Sequence, residues 1–342
     1  MRPKQSTPTI YDIAAAAGVS PSTVSRVLGG SKYPVALGTK AHILELAEQM
    51  GYVSKSSSHG SRSIPETVHV LVPELCNPFY TALVSDLESS LRAYNLNMVL
   101  TNTNWDVAQE QALVAHLTRS GVPMIIAPVS QDLSHIETAL THNAEIVLIE
   151  AALPQKCPGI QFNSYAGGMM ATQHLLNRGL TRIAYLSPPL TRPTRSDVYS
   201  GFRAAMEAAA ISIDPELILF CQDEALTEDA SFAIGEQMCQ QLLAGLSTPP
   251  QAIFCENDMI ALGVLQHLRA LSIRVPEDIS VIGIDNIPLS SLAVPQLTTI
   301  DQCTREMGSL AAELLRGQHL DPRRKPVQVL LEPQLIVRQT VR

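Results

Sequence analysis

The sequence predicts a small all-α head followed by a larger α/β body of two parallel-sheet subdomains. Three observations predict it. Residues 10–50 carry apolar side chains at helical spacing, punctuated by Gly18 and by Gly29-Gly30. Residues 54–63, SKSSSHGSRS, contain no apolar side chain. Beyond them, short β-rich apolar runs alternate with amphipathic stretches of helical length, the rhythm of strands joined by right-handed crossovers. At 342 residues the chain is too long for one ordinary domain.

Each element of the head has a local cause. Thr9 caps a first helix with Ile10, Ile13, Ala14 and Ala17 on its inner face, and Gly18 stops it. Ser20 caps a second, with Pro21 at the first helical position, where a missing N–H costs nothing. This helix buries Val24, Val27 and Leu28. A third is expected from about Thr39 to Met50, turning Ile43, Leu46, Ala47 and Met50 inward. The first two, joined by Gly18-Val19-Ser20-Pro21, form a helix-turn-helix pattern.

In the body, VHVLVP, LNMVLT, MIIAPV and IVLIE read as strands, each of the first three followed by a helix near 78–94, 107–119 and 132–142. The rhythm resumes with RIAYLSP, LILF, AIFCEN and ISVIGID, with helices near 198–210, 229–245 and 258–271. A break near residue 163 divides two Rossmann-like subdomains. The expected domains are 1–53 for the head, 54–65 for a linker, and 66–342 for the body. Within the body, one subdomain spans 66–162 plus 293–324 and the other 163–292 plus 325–342. Ligands of open parallel sheets sit beyond the carboxyl ends of the strands, so the residues just after each strand are the first candidates for a site.

Composition narrows the function. Residues 1–63 hold seven Lys/Arg against three Asp/Glu, whereas the rest holds 17 against 29. A basic head on an acidic body points to a polyanion as the partner of the head alone. The six cysteines show no C-x-x-C pair and no accompanying His cluster, so neither a metal nor a disulfide scaffold is expected. No cofactor is expected either. The first residues lack the apolar core of a signal peptide, and no apolar run approaches bilayer length. A cytoplasmic protein with no membrane partner is therefore expected. G-x-S-x-G, H-E-x-x-H, Walker and G-x-G-x-x-G signatures are absent from the sequence, so catalysis is not expected.

The head segment TIYDIAAAAGVSPSTVSRVLGGS resembles the DNA-binding head of the LacI/GalR family of bacterial transcription regulators. VLVPELCNPFY, FNSYAGGMMATQHLLNRGLTRIAYLSPP and AIFCENDMIALGVLQHLRALSIRVPEDISVIGIDNIPLSSLAVPQLTTI resemble successive segments of its periplasmic-binding-protein-like body. The resemblance covers nearly the whole chain. It implies a homodimer on double-stranded, pseudo-palindromic operator DNA, most often a repressor of a sugar or related catabolic operon, controlled by a small polar effector such as a sugar or nucleoside-like compound. The competing reading is a sugar- or nucleoside-binding protein without operator-specific function, which the basic head speaks against.

By that match Pro21, Ser22 and Arg26 take base-reading positions of the recognition helix. Arginine binds guanine O6 and N7 bidentately, serine discriminates weakly, and proline offers apolar contact only. Thr9, Tyr11, Thr23 and Ser25 are placed for phosphates, which set register. In the body the match offers Asn77, Phe79, Tyr80, Asn163, Asn257, Asp258 and Asp285 to the effector. The alternative for Asn77 is to form the turn before Pro78, and for Asn257 and Asp258 to cap the helix that follows them. Trp105 either covers the cleft or packs beside it.

Three departures from the family pattern stand out. Val35-Ala36-Leu37-Gly38-Thr39 lacks the serine and glutamate that cap the third helix, which implies a start at Thr39 or a frayed first turn. Val198 stands where relatives carry an effector-gripping arginine. Either Arg195 reaches in from a shifted turn, or the effector lacks the group that arginine binds. Finally, the serine-rich tract lacks the alanines and the wedging leucine of the family's hinge helix. A flexible tether and little central kink in the DNA are expected from it.

Overall fold

A computed structural model describes residues 9–28, 36–50, 67–153, 155–221 and 231–342. The chain divides into two compact units, Met1–Ser63 and Ile64–Arg342. The serine-rich tract, and the expectations placed on it, lie outside the described residues.

The first unit holds α1 (Ile10–Ala17), α2 (Pro21–Leu28) and α3 (Leu37–Gln49). The Thr9 hydroxyl accepts from the Asp12 N–H while the Asp12 carboxylate accepts from the Thr9 N–H, a reciprocal capping box. Gly18 closes α1 at φ 66°, a left-handed conformation that a β-carbon disfavours. Ser20 Oγ accepts from the Thr23 N–H at 3.2 Å and starts α2. Ile13, Ala14, Val24, Val27, Ile43 and Ala47 form one buried cluster. The third helix begins at Leu37, two residues ahead of the expected Thr39, despite the missing serine and glutamate.

The second unit opens with β1 (Thr67–Val72), α4 (Pro78–Ala93), β2 (Asn97–Asn102), α5 (Val107–Ser120), β3 (Met124–Ile126), α6 (Ser134–Thr141), β4 (Ile146–Ile149) and β5 (Gly159–Phe162). Next come α7 (Ser164–Leu176), β6 (Ile183–Ser187), α8 (Pro193–Ala208), β7 (Ile218–Phe220), α9 (Ser231–Gly245), β8 (Ala252–Cys255) and α10 (Asp258–Ala270). The unit ends with β9 (Ser280–Asp285), α11 (Pro288–Leu292), β10 (Thr298–Asp301), α12 (Thr304–Leu320), β11 (Gln328–Leu331) and β12 (Gln334–Ile336).

Among the described residues the strands form two six-stranded sheets, in the orders β11-β5-β4-β3-β1-β2 and β12-β10-β9-β8-β6-β7. Among the described strands only β12 runs antiparallel to its neighbour. Strands β4, β6, β8 and β9 are buried along their whole length, as both-face coverage by helices requires.

Two expected subdomain boundaries move. The crossing placed at residue 293 comes after Asp301, because Thr298–Asp301 pairs in parallel with β9 and completes the second sheet. The tail, expected to stay with the second subdomain, contributes a strand to each sheet. Gln328–Leu331 pairs with β5 of the first. Gln334–Ile336 pairs with β10 of the second, with Glu332-Pro333 between the two strands. The three crossings lie together: Asn163 Nδ2 donates to the Glu332 carboxylate at 3.2 and 3.3 Å, and Cys303 Sγ lies 3.6 Å from the Glu332 carbonyl oxygen.

Helix α8 starts at Pro193, five residues ahead of the expected 198, with proline at its first position. It lies close against α7. A β-carbon at Gly168 would strike the Val198 carbonyl, and one at Gly201 the Tyr165 carbonyl, so these glycines set the approach of the two helices. Arg195 and Val198 therefore sit one helical turn apart on a rigid inner face.

Candidate functional site

In the head, α2 turns Val24 and Val27 inward and leaves Pro21, Ser22, Ser25 and Arg26 exposed, with Thr23 half-buried. Tyr11 is 67% exposed on the first turn of α1. The hydroxyls of Ser22 and Thr23 each lie 2.8 Å from Ser20 Oγ, in one network at the start of α2. Thr9 is occupied by its capping box, its hydroxyl donating to Asp12 Oδ2 at 2.7 Å. The sequence-derived DNA face thus holds one long cationic donor, Arg26, among short polar groups.

In the body a cavity of about 390 Å³ opens between the two sheets at the carboxyl ends of their strands. Of the expected residues, it is lined by Asn77, Phe79, Tyr80, Arg195, Asn257 and Asp285. At Asn77 and Asn257 helix capping and cavity lining coexist. Each caps its helix, accepting from the N–H of Phe79 at 2.8 Å and of Ile260 at 2.9 Å, and each still lines the cavity. Asp285 sits at φ 121° at the end of β9, and its carboxylate accepts from the Gln302 amide. Arg195, 8% exposed, lies in the first turn of α8, with its Nε 3.7 Å from Glu256 Oε1. Val198 lines the same wall.

Asn163 and Asp258 are not among the lining residues, contrary to expectation. Asn163 caps α7, accepting from the Ala166 N–H at 3.1 Å, and its amide is tied to Glu332 at the crossings. Asp258 is fully buried. It accepts from the hydroxyls of Ser290 and Thr299, each at 2.5 Å, and from the Ile287 N–H at 3.1 Å. It therefore fastens α11 and β10 to α10 and has no face on the cavity.

Trp105 lines the cavity from the first sheet's side. Its indole N–H donates to Glu74 Oε2 at 3.2 Å, and the Arg192 guanidinium lies 3.5 Å over its ring. Gln131 Nε2 donates to the Thr191 carbonyl at 2.8 Å. Both contacts join the two halves of the body across the cavity. The loop carrying Gln131 is in turn held by buried Glu110, which accepts from the Val129 N–H at 3.0 Å.

Sequence reasoning missed several lining residues, among them Glu150, Glu256, Gln161 and Gln302. Glu150 directly follows β4 and Glu256 directly follows β8, so the strand-end rule applied to every strand would have found both.

Burial pushes two carboxyls far up. Asp258 rises to about 7, the desolvation outweighing its hydrogen bonds from Ser290, Thr299 and Ile287. Glu150 rises to about 7, also through desolvation, opposed by the Phe162 N–H. A carboxyl raised in the folded state binds more protons there than in the unfolded chain. Its contribution is complete below the unfolded values of 3.8 and 4.5 and is lost as pH rises to about 7. Urea titrations at pH 5 and pH 7.5 should accordingly show part of a stability loss that Asp258→Asn and Glu150→Gln each reduce. An unchanged slope in both variants would refute the assignment.

A helix-turn-helix unit joined to a two-sheet body with a polar cavity between its sheets is the architecture of ligand-responsive DNA-binding regulators. The comparisons agree with it. Residues 9–55 match the model for bacterial regulatory proteins of the lacI family, and residues 172–341 match the periplasmic binding protein-like domain. An HTH-type transcriptional repressor PurR from Vibrio vulnificus is 30% identical over 338 residues, covering 98% of each chain. Among solved structures, a complex of the transcriptional regulator CelR with cellobiose superposes with a TM-score of 0.70 at 27% identity, over 97% of this chain and 99% of that one. A LacI family regulator from Enterococcus faecium with bound ribose gives 0.70 at 27% identity, over 80% and 98%. The chain belongs to the lacI family of bacterial regulatory proteins. It is a DNA-binding transcriptional regulator, and these relatives are regulators, not enzymes. Among the described residues no helix is long and apolar enough to cross a membrane.

Proposed function

We propose that the protein is a cytoplasmic repressor that binds a pseudo-palindromic operator as a homodimer and is controlled by a sugar or related small polar molecule. Arg26, Pro21 and Ser22 read bases in each half-site, while Tyr11, Thr23, Ser25 and Thr9 face phosphates. The effector lies in the cavity, ringed by Asn77, Phe79, Tyr80, Arg195, Asn257 and Asp285. The observation that carries this reading is the meeting of buried aromatic faces and polar strand ends in one cavity, a combination suited to a sugar ring. The cellobiose and ribose bound by the two structural relatives support it.

Arg195, one turn before Val198, takes over the role of the arginine missing there, so the cavity keeps a guanidinium on the same helix. Binding works on DNA through differential affinity of the effector for two arrangements of the sheets. The cross-cavity pairs Trp105–Arg192 and Gln131–Thr191 are the contacts such a change makes or breaks. The direct test is a thermal-shift screen of neutral sugars and nucleosides, followed by operator titration with each hit. Salt-independent DNA binding would return the protein to the simple binding-protein reading, because phosphate contacts release counterions.

The second copy docks on the surface around α10 and α11. Leu292 and Val294 are 74% and 84% exposed beside a recess lined by Phe232, Met259, Leu262 and Leu265. An apolar surface of this kind is matched by an identical one in a two-fold dimer. Leu292→Ala should weaken the dimer roughly tenfold, since each copy loses an apolar side chain from the contact. Sedimentation equilibrium measures it; an unchanged dissociation constant would move the interface elsewhere.

A further inference from the structure

The charge inventory of the cavity is lopsided. Among the described residues its charged lining is Glu150, Asp197, Glu256 and Asp285 against Arg192 and Arg195. Arg192 lies over the Trp105 ring. Arg195 forms an ion pair with Glu256 through Oε1, at 3.7 Å, and does not reach its other oxygen with a hydrogen bond. Among the described residues, no group hydrogen-bonds Glu256 Oε2, although that atom is buried. Glu150 receives one long hydrogen bond, from the Phe162 N–H at 3.3 Å. A buried carboxylate with so few donors is costly, and a cation is the partner that best removes the cost.

We infer that the effector carries a protonated amine beside its hydroxyl groups, and that Glu256 from the second sheet and Glu150 from the first receive it. The raised pKa of Glu150 agrees with this. Its causes are desolvation and one backbone hydrogen bond, with no neighbouring cation among them. The chemistry also excludes a class: a phosphorylated or carboxylated sugar would bring an anion among four carboxyl groups. An amino sugar or amino polyol fits the whole wall. Its ring packs on Phe79 and Tyr80, its hydroxyls meet Asn77, Asn257 and Asp285, and its ammonium meets the glutamates.

This inference rests on reading the cavity as the effector site, and matched pairs separate the two. Full-length protein is titrated calorimetrically at pH 7 with D-glucosamine against D-glucose, D-galactosamine against D-galactose, and putrescine against 1,4-butanediol. The expected result is that in at least one pair the amine binds about tenfold tighter or better. Glu256→Gln should then collapse that ratio to about twofold. Glu150→Gln provides a second reading should the first variant fail to fold. Binding of the hydroxyl members at equal or higher affinity, lost in Phe79→Ala, would overturn the amine while leaving the cavity as the effector site. An amine preference that both glutamine variants retain would overturn the role of the glutamates. Binding by no member of any pair would overturn both readings.

Discussion

Arg26→Ala is expected to cost about 1–3 kcal/mol of operator affinity in each half-site, and so twice that in a dimer. The size of the effect follows from what α2 presents. Pro21 has no donor, and the Ser22 hydroxyl is within 2.8 Å of Ser20 Oγ. Arg26 is the one side chain of α2 that can span both acceptors of a guanine edge. The loss should therefore be confined to a single base pair in each half-site. Arg26→Lys should recover only part of it, because an ammonium cannot make the paired contact. Fluorescence anisotropy against a selected operator and its single-base variants would show this. Equal losses on specific and scrambled DNA would make Arg26 a phosphate contact and move the reading of bases to other residues.

Asp258→Ala is expected to destabilise the body by roughly 3–5 kcal/mol, lowering its melting temperature by about 10 °C. Asp258 is fully buried and accepts three hydrogen bonds, from the hydroxyls of Ser290 and Thr299 and from the Ile287 N–H. Alanine removes the acceptor and leaves those donors without a partner in a site closed to water. Ser290 lies in α11, beside the exposed Leu292, so the proposed dimer surface should loosen before the rest of the body. Asp258→Asn keeps the shape and one acceptor oxygen, and its loss should be smaller. Calorimetric melting of both variants decides the matter. A fall of under 1 kcal/mol for alanine would mean that the three donors find other partners.

The strand-helix rhythm, the helix-turn-helix and the outward face of α2 were legible because they follow from local periodicity. What the sequence hid follows from non-local pairing or from neighbours too close to separate. Nothing local says that Thr298–Asp301 joins β9, or that Gln328–Leu331 returns to β5, because sheet order is decided by partners far away in the chain. Asn257 and Asp258 are adjacent polar residues at one strand end. The cap faces the cavity, and the first helical residue points into the protein. Pro193 did carry a readable signal for the start of α8, and it explains how Arg195 enters a wall where Val198 stands in place of arginine.

The return of Gln328–Leu331 to the first sheet also bears on how the protein is made. Strands β1 to β5 leave the ribosome first, yet β5 gains its outer neighbour only once Gln328–Leu331 has been synthesised, a whole second sheet later. Until then the nascent sheet has an open edge ready to pair with another chain. A truncation before Gln328 would hold the protein permanently in that exposed condition and should send it to aggregates or to the proteases.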